Sequence, residues 1–148
     1  MGLAPGTNLG PYEIQAAVGA GGMGQVYRAR DTRLDRIVAV KVLSDAVVSS
    51  AKARLRLERE ARAISSVTHP HICTLYDIGT HEGQPFLVME YLEGQTLAER
   101  LASRPLSVPE ALDLGAQIAR ALDKAHRAGM IHRDLKPANV MLVSMGPP

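Results

Sequence analysis

From Tyr12 the chain alternates between apolar and polar positions. Tyr12, Ile14, Ala16 and Val18 fall on one parity with Glu13 and Gln15 on the other, the period of a half-buried strand. A glycine-rich run, Gly19-Ala20-Gly21-Gly22-Met23-Gly24, interrupts the alternation, which resumes over 25–30. The pattern therefore predicts strand, turn, strand. A polar turn over 31–36 leads into 37–43, a nearly continuous β-branched run with one lysine, Lys41, inside it, so a three-strand meander is expected. Over 50–67 the period changes: Leu57, Ala61 and Ile64 are spaced four and three apart, which predicts a helix. Two further strand-like runs, 71–79 and 85–92, flank the turn 80–84.

Beyond Glu93 the pattern becomes helical, with a short helix over 96–102 and a long one over 107–128. The long helix opens on Ser107 and Glu110 in the spacing of a capping box and ends before Gly129, where a left-handed residue is wanted. Residues 1–11, rich in Gly and Pro, read as a flexible leader. The order βββ-α-ββ followed by helices defines an α+β protein: an antiparallel-sheet lobe with one helix over 12–92, then the start of a helical lobe over 93–148. Leu112, Leu114, Ile118, Ala119, Ala121, Leu122 and Ala125 surround the long helix, which suits a buried position, and any part left uncovered predicts self-association.

Composition narrows the function little. The 148 residues are one domain's worth, and a net charge of +2 with no strong local field names no nucleic acid or membrane partner. The basic run 52–62 also carries Glu58 and Glu60, and at helical spacing it reads as a solvated face. Cys73 is the sole cysteine, so no intrachain disulfide forms, which fits a reducing compartment; no run is apolar enough for a membrane span. A cytoplasmic location is expected.

The candidate chemistry lies in four places. A glycine run such as 19–24 serves dinucleotide-binding folds when a helix follows, but here the following residues alternate like a strand. A glycine-tipped hairpin can lie over a triphosphate and offer backbone N–H groups where a side chain would not fit; a merely flexible turn is the plainer alternative. Lys41 shares strand parity with Ala39, and an ammonium in apolar surroundings needs an anion unless it snorkels to solvent. With Leu57 set at 0° on the helix, Glu60 falls at about 300°, on the inward flank, and Glu58 at about 100°, facing out. Glu60 is therefore the expected partner of Lys41, against the alternative of one more solvated charge. Finally, Asp134, Lys136 and Asn139 stand close together in HRDLKPAN, around Pro137, which cannot extend a helix. A carboxylate to accept a hydroxyl proton, a cation for a moving phosphate and an amide oxygen for Mg²⁺ are what phosphoryl transfer needs.

These motifs, in this order, resemble those of the eukaryotic-like (Hanks-type) serine/threonine protein kinases of bacteria: GAGGMGQV, VAVK, Glu60 upstream of His69-Pro70, MEYLEG and HRDLKPAN. The resemblance runs from about Tyr12 to Leu142. It implies ATP and Mg²⁺ as cofactors and the Ser/Thr hydroxyls of a protein as substrate. Gly19, Gly21 and Gly24 would cover the phosphates, and Lys41, paired with Glu60, would hold them. Asp134 would be the catalytic base, Lys136 the γ-phosphate contact and Asn139 a metal ligand. Adenine would lie between Val18, Val26 and Ala39 above and Met141 below, with Met89 behind it and the backbone of Glu90 and Leu92 at its edge. His132 and Arg133 would be scaffolding. The family pattern continues to an Asp-Phe-Gly triplet that does not follow here, so the reading is of the N-terminal portion of a kinase domain, weakly active or inactive by itself. The alternative is a non-catalytic nucleotide-binding or regulatory module.

Overall fold

The computed structural model describes residues 2–21, 24–44, 50–131 and 135–143. Two compact units divide them: Met1–Ser66 with Thr74–Tyr91, and Val67–Cys73 with Leu92–Pro148. The first unit is a six-stranded antiparallel sheet with one helix. In chain order its elements are β1 (Asn8–Leu9), β2 (Tyr12–Gly21), β3 (Gly24–Asp31), β4 (Arg36–Leu43), α1 (Ala51–Ser65), β5 (Leu75–His81) and β6 (Gln84–Glu90), and the strands lie in the order β1-β2-β3-β4-β6-β5.

Alternation along β3 and β4 sorts the side chains onto two faces. Tyr27 and Ala29, Val38 and Val40, Phe86 and Val88 are buried and join Leu9, Tyr12 and Ile14 in one core. Fully burying a Val, Leu or Phe side chain contributes about 1.5–3 kcal/mol, so this apolar parity holds the meander in register. The turns are short. Glu82 and Gly83, both with positive φ, join β5 to β6 in a two-residue hairpin loop. Between β3 and β4 the buried carboxylate of Asp31 accepts the N–H groups of Arg33 at 2.9 Å and Leu34 at 3.2 Å, so its burial is compensated.

Two expectations need correction. The leader, from Gly2 on, is tied to the sheet: the N–H of Gly6 donates to the Ile14 carbonyl at 2.8 Å and that of Ile14 to the Thr7 carbonyl at 2.9 Å, while Leu9 is fully buried. An isolated Leu9 beside Gly10 gives no periodic signal, yet it closes the outer end of the core. The parity proposed for β2 also fails beyond Ile14. Bulges between Ile14 and Ala16 and between Ala17 and Gly19 each insert a residue without a partner, so Ala16 pairs with Arg28 on the face opposite to Ile14.

The second unit is specified locally. Its elements are β7 (Gly94–Thr96), α2 (Leu97–Ser103), α3 (Val108–Arg127), a 3-10 turn (Pro137–Asn139) and β8 (Met141–Val143), with β7 and β8 paired antiparallel. Thr96 with Glu99, and Ser107 with Glu110, form reciprocal capping boxes at the starts of α2 and α3. Gly129 follows α3 with a φ of 83°, as its glycine predicts. Gly94 is required by closeness as well as backbone angle, because a Cβ there would run into the carbonyl of Leu142 across the β7–β8 ladder.

Candidate active site

Strand register gathers the first-unit residues. Gly19 pairs with Val26, Val26 with Lys41 and Lys41 with Leu87, forming one row across four strands. The adjoining row runs Ala16, Arg28, Ala39, Met89. Gly19, Val26, Ala39, Lys41 and Met89 thus share the sheet face opposite the core. Ala39 is nearly buried, while Val26, Lys41 and Met89 are half-buried. Around the Lys41 ammonium these positions are apolar. A Cβ at Gly19 would meet no atom within 4 Å, and its φ is not positive, so neither packing nor backbone angle demands glycine there. The space beside Gly19 is open, and its backbone is not screened by a side chain. Gly21 pairs with Gly24 at the end of the same hairpin.

Val18 departs from this arrangement. It is the extra residue of the second bulge and is 49% exposed, so strand alternation does not fix its direction as it does that of Val26. Arg28, which strict alternation from Val26 would have found, lies on the site face with its guanidinium 5.6 Å from the centre of the Tyr91 ring. At the end of β6, the N–H of Glu90 donates to the Thr74 carbonyl at 2.8 Å, and its carboxylate accepts the Thr74 N–H at 3.3 Å. That clasp fixes the backbone where Met89 passes into the connection to the second unit. Leu92, half-buried, begins the next segment.

Helix α1 starts at Ser50, whose hydroxyl accepts the N–H of Ala53 at 3.1 Å. Ala53, Leu57, Ala61 and Ile64 form its inward stripe, as the spacing predicts, and Ala61 lines a cleft with Leu75 and Ile78 of β5. Ile78 is in register with Leu87 and so with the row that carries Lys41. The structure does not bring Glu60 onto Lys41. The Glu60 carboxylate accepts from Nε of Arg56, one turn earlier, at 3.2 Å and its side chain is 59% exposed. The angle that puts Glu60 on the inward flank of α1 also puts it beside Arg56, about 40° away, and a flanking carboxylate reaches either way.

In the second unit, Lys136 precedes the 3-10 turn and its carbonyl accepts the N–H of Asn139 at 2.9 Å. The Val140 carbonyl accepts from Leu97 at 2.8 Å, and Met141 pairs with Thr96, so the turn is fastened to the start of α2 and to β7. Lys136 and Asn139 are exposed and Met141 is half-buried. Asp134, with His132 and Arg133, lies outside the described residues. Among the described residues no three His, Cys, Asp or Glu side chains converge as a metal site. Asn139 has the amide oxygen that Mg²⁺ accepts as one ligand among several.

Comparison with known proteins bears on the family and the fold. The protein kinase domain model matches residues 12–147. The serine/threonine-protein kinase PknE of Mycobacterium bovis is 43% identical over 138 residues, covering 93% of this chain and 24% of that protein. PrkC of Bacillus subtilis, also a serine/threonine-protein kinase, is 42% identical with 93% and 21% covered. The crystal structure of a double mutant of the Mycobacterium tuberculosis PknI kinase domain superposes with a TM-score of 0.93 at 36% identity, covering 98% of this chain and 58% of that one. The chain belongs to the protein kinase domain family. It spans about a quarter of the length of the curated relatives it matches.

Proposed function

We propose that this chain carries the nucleotide-binding lobe and catalytic-loop residues of a serine/threonine protein kinase that transfers the γ-phosphoryl group of ATP to a protein hydroxyl. The observation that supports the reading most is the row Gly19–Val26–Lys41 beside Ala39 and Met89. It forms a mainly apolar face for a flat base, with a cation and, at Gly19, a position without a side chain for phosphates. Glu60 steadies Lys41 in the productive state, and the backbone of Glu90 and Leu92 meets the edge of the base. From the second unit, Met141 supplies apolar contact, Asp134 takes the proton of the attacking hydroxyl and Lys136 neutralises the phosphoryl oxygens. Asn139 would hold Mg²⁺, which when bound spreads the charge of the phosphates. Lys136, in its place within HRDLKPAN, favours Ser and Thr as acceptors.

Nucleotide binding separates the roles. Mg-ATP is expected to raise the melting temperature of the chain, by about 2.7 kcal/mol of linked stability at a hundredfold excess over Kd. Lys41→Met should remove the shift, whereas Asp134→Asn should keep it and abolish whatever transfer to a Ser/Thr peptide is measured, since a base acts in transfer and not in binding. No shift with the unmodified chain would sink the reading. A shift with no transfer, even from a chain extended through an Asp-Phe-Gly triplet, would favour a regulatory nucleotide-binding module.

A further inference from the structure

Glu60 pairs with one cation and is read as the partner of another. Arg56, one turn earlier on the same helix, holds its carboxylate at 3.2 Å, and both side chains are largely exposed. Lys41, on the sheet face that α1 shares through β5, makes no ion pair with any described residue. A carboxylate faces one cation squarely only by turning from a second on another element, so the two pairings compete for the strongest geometry. We infer that Arg56 is a positioning residue: an intrahelical competitor that draws Glu60 away from Lys41 and sets the fraction of molecules in which Lys41 is braced for nucleotide phosphates.

The competitor is weak by construction. An exposed i,i+4 pair shifts an equilibrium about twofold, and the order here, Arg before Glu, is the less favourable one along a helix. Arg56 therefore biases the site and does not lock it. A ligand whose binding form is a minor population binds more weakly by that fraction, so the bias should be legible as nucleotide affinity. The inference rests on the nucleotide-binding reading, and its test keeps the two apart.

The measurement is titration of the chain with Mg-ATP. Arg56→Gln should tighten Kd by about twofold, and Arg56→Lys, which restores a cation at the same spacing, should return it toward the native value. Arg59→Gln removes an equal charge from the same helix at a position that makes no ion pair with Glu60, and should leave Kd unchanged. In a Glu60→Gln background, Arg56→Gln should have no effect, because the group it competes for is gone. Equal tightening with and without Glu60, or by Arg59→Gln, would reduce the effect to general charge and overturn the inference. So would unchanged or weaker binding by Arg56→Gln while Lys41→Met still abolishes it. Binding that survives Lys41→Met would instead remove the nucleotide-site reading and this inference with it.

Discussion

The sheet of the first unit and the long helix of the second are both amphipathic, yet they are held in place by different physics. Nine buried side chains from five strands make the sheet's core, and each strand depends on the others for its burial. In α3 no residue is buried: Val108 is 73% and Leu112 70% exposed, and Val67 is the one buried apolar residue of the second unit among the described residues. What defines α3 is written at its ends, in the Ser107–Glu110 box and Gly129. Long-range packing fixes the first region and local hydrogen bonding the second, so the same kind of substitution should have different consequences in each.

The largest expected effect is in the sheet. Phe86 is 5% exposed, meets Tyr12 edge-on at 6.3 Å, and lies against the backbone of Gly79, where a Cβ would collide with its ring. Phe86→Ala should cost about 3–5 kcal/mol, the usual range for a buried aromatic, and melt the whole sheet as one unit. Leu112→Ala, an equally apolar truncation on α3, should cost less than about 0.5 kcal/mol, as for exposed positions. Thermal denaturation of both variants checks the contrast, and comparable losses would break it.

A smaller effect sharpens the account of how the sheet closes. The hydroxyl of Tyr12 donates to Asp77 at 2.6 Å, and Arg33 lies over the ring at 5.9 Å, so β2 is tied to β5, the edge strand at the far end of the strand order. Burial and, after it, the bond to the Asp77 carboxylate push the Tyr12 hydroxyl up to about 12. A proton held more tightly in the folded state than in the unfolded one stabilises fully below pH about 10, the unfolded value. That stability drains as pH rises from there through about 12. Tyr12→Phe should lose about 1.5 kcal/mol at neutral pH, as for a hydrogen bond to a charged group. It should also flatten the fall of the urea midpoint between pH 9 and pH about 11; a fall as steep as the native one would place the titrating group elsewhere.

These differences explain what the sequence disclosed. Parity identified β3, β4 and β6 and the inward stripe of α1 because burial repeats with the period of the backbone. It failed in β2, where Gln15 and Val18 are inserted by bulges that no alternation announces, and at Leu9, a single residue with no period. The short ladder β7–β8 depends on Gly94 lying against Leu142, a contact 48 positions away in the chain that no local pattern encodes. Among candidate site residues, Gly19, Val26, Ala39, Lys41 and Met89 came to one face through register, which alternation foretells. The partner of Glu60 did not follow, because helical angle fixes a direction and not a partner, and Arg56 on the same helix takes the carboxylate.

A loss confined to one helix end separates the two regions most cleanly. Ser107 accepts the N–H of Glu110 at 3.2 Å, and the carboxylate of Glu110 accepts the N–H of Ser107 at 3.0 Å and a guanidinium N–H of Arg100 at 3.1 Å. The Ser107 N–H, first, and then the nearby Arg104 and Arg100 draw the Glu110 carboxyl below its ordinary value against a desolvation that raises it. A depressed carboxylate stabilises above the ordinary value and loses that stability as pH falls through the lowered one, so the start of α3 should loosen in acid. Ser107→Ala should remove about 1 kcal/mol of helix stability at neutral pH. Because α3 buries no residue, that loss has no core through which to spread. Amide exchange should therefore quicken in the first turns of α3, from Val108 onward, while protection in β3, β4 and β6 and the cooperative melting temperature stay as they were. Loss of protection in the strands would mean that α3, despite its exposure, helps hold the sheet, and that local capping and distant packing are parts of one cooperative unit.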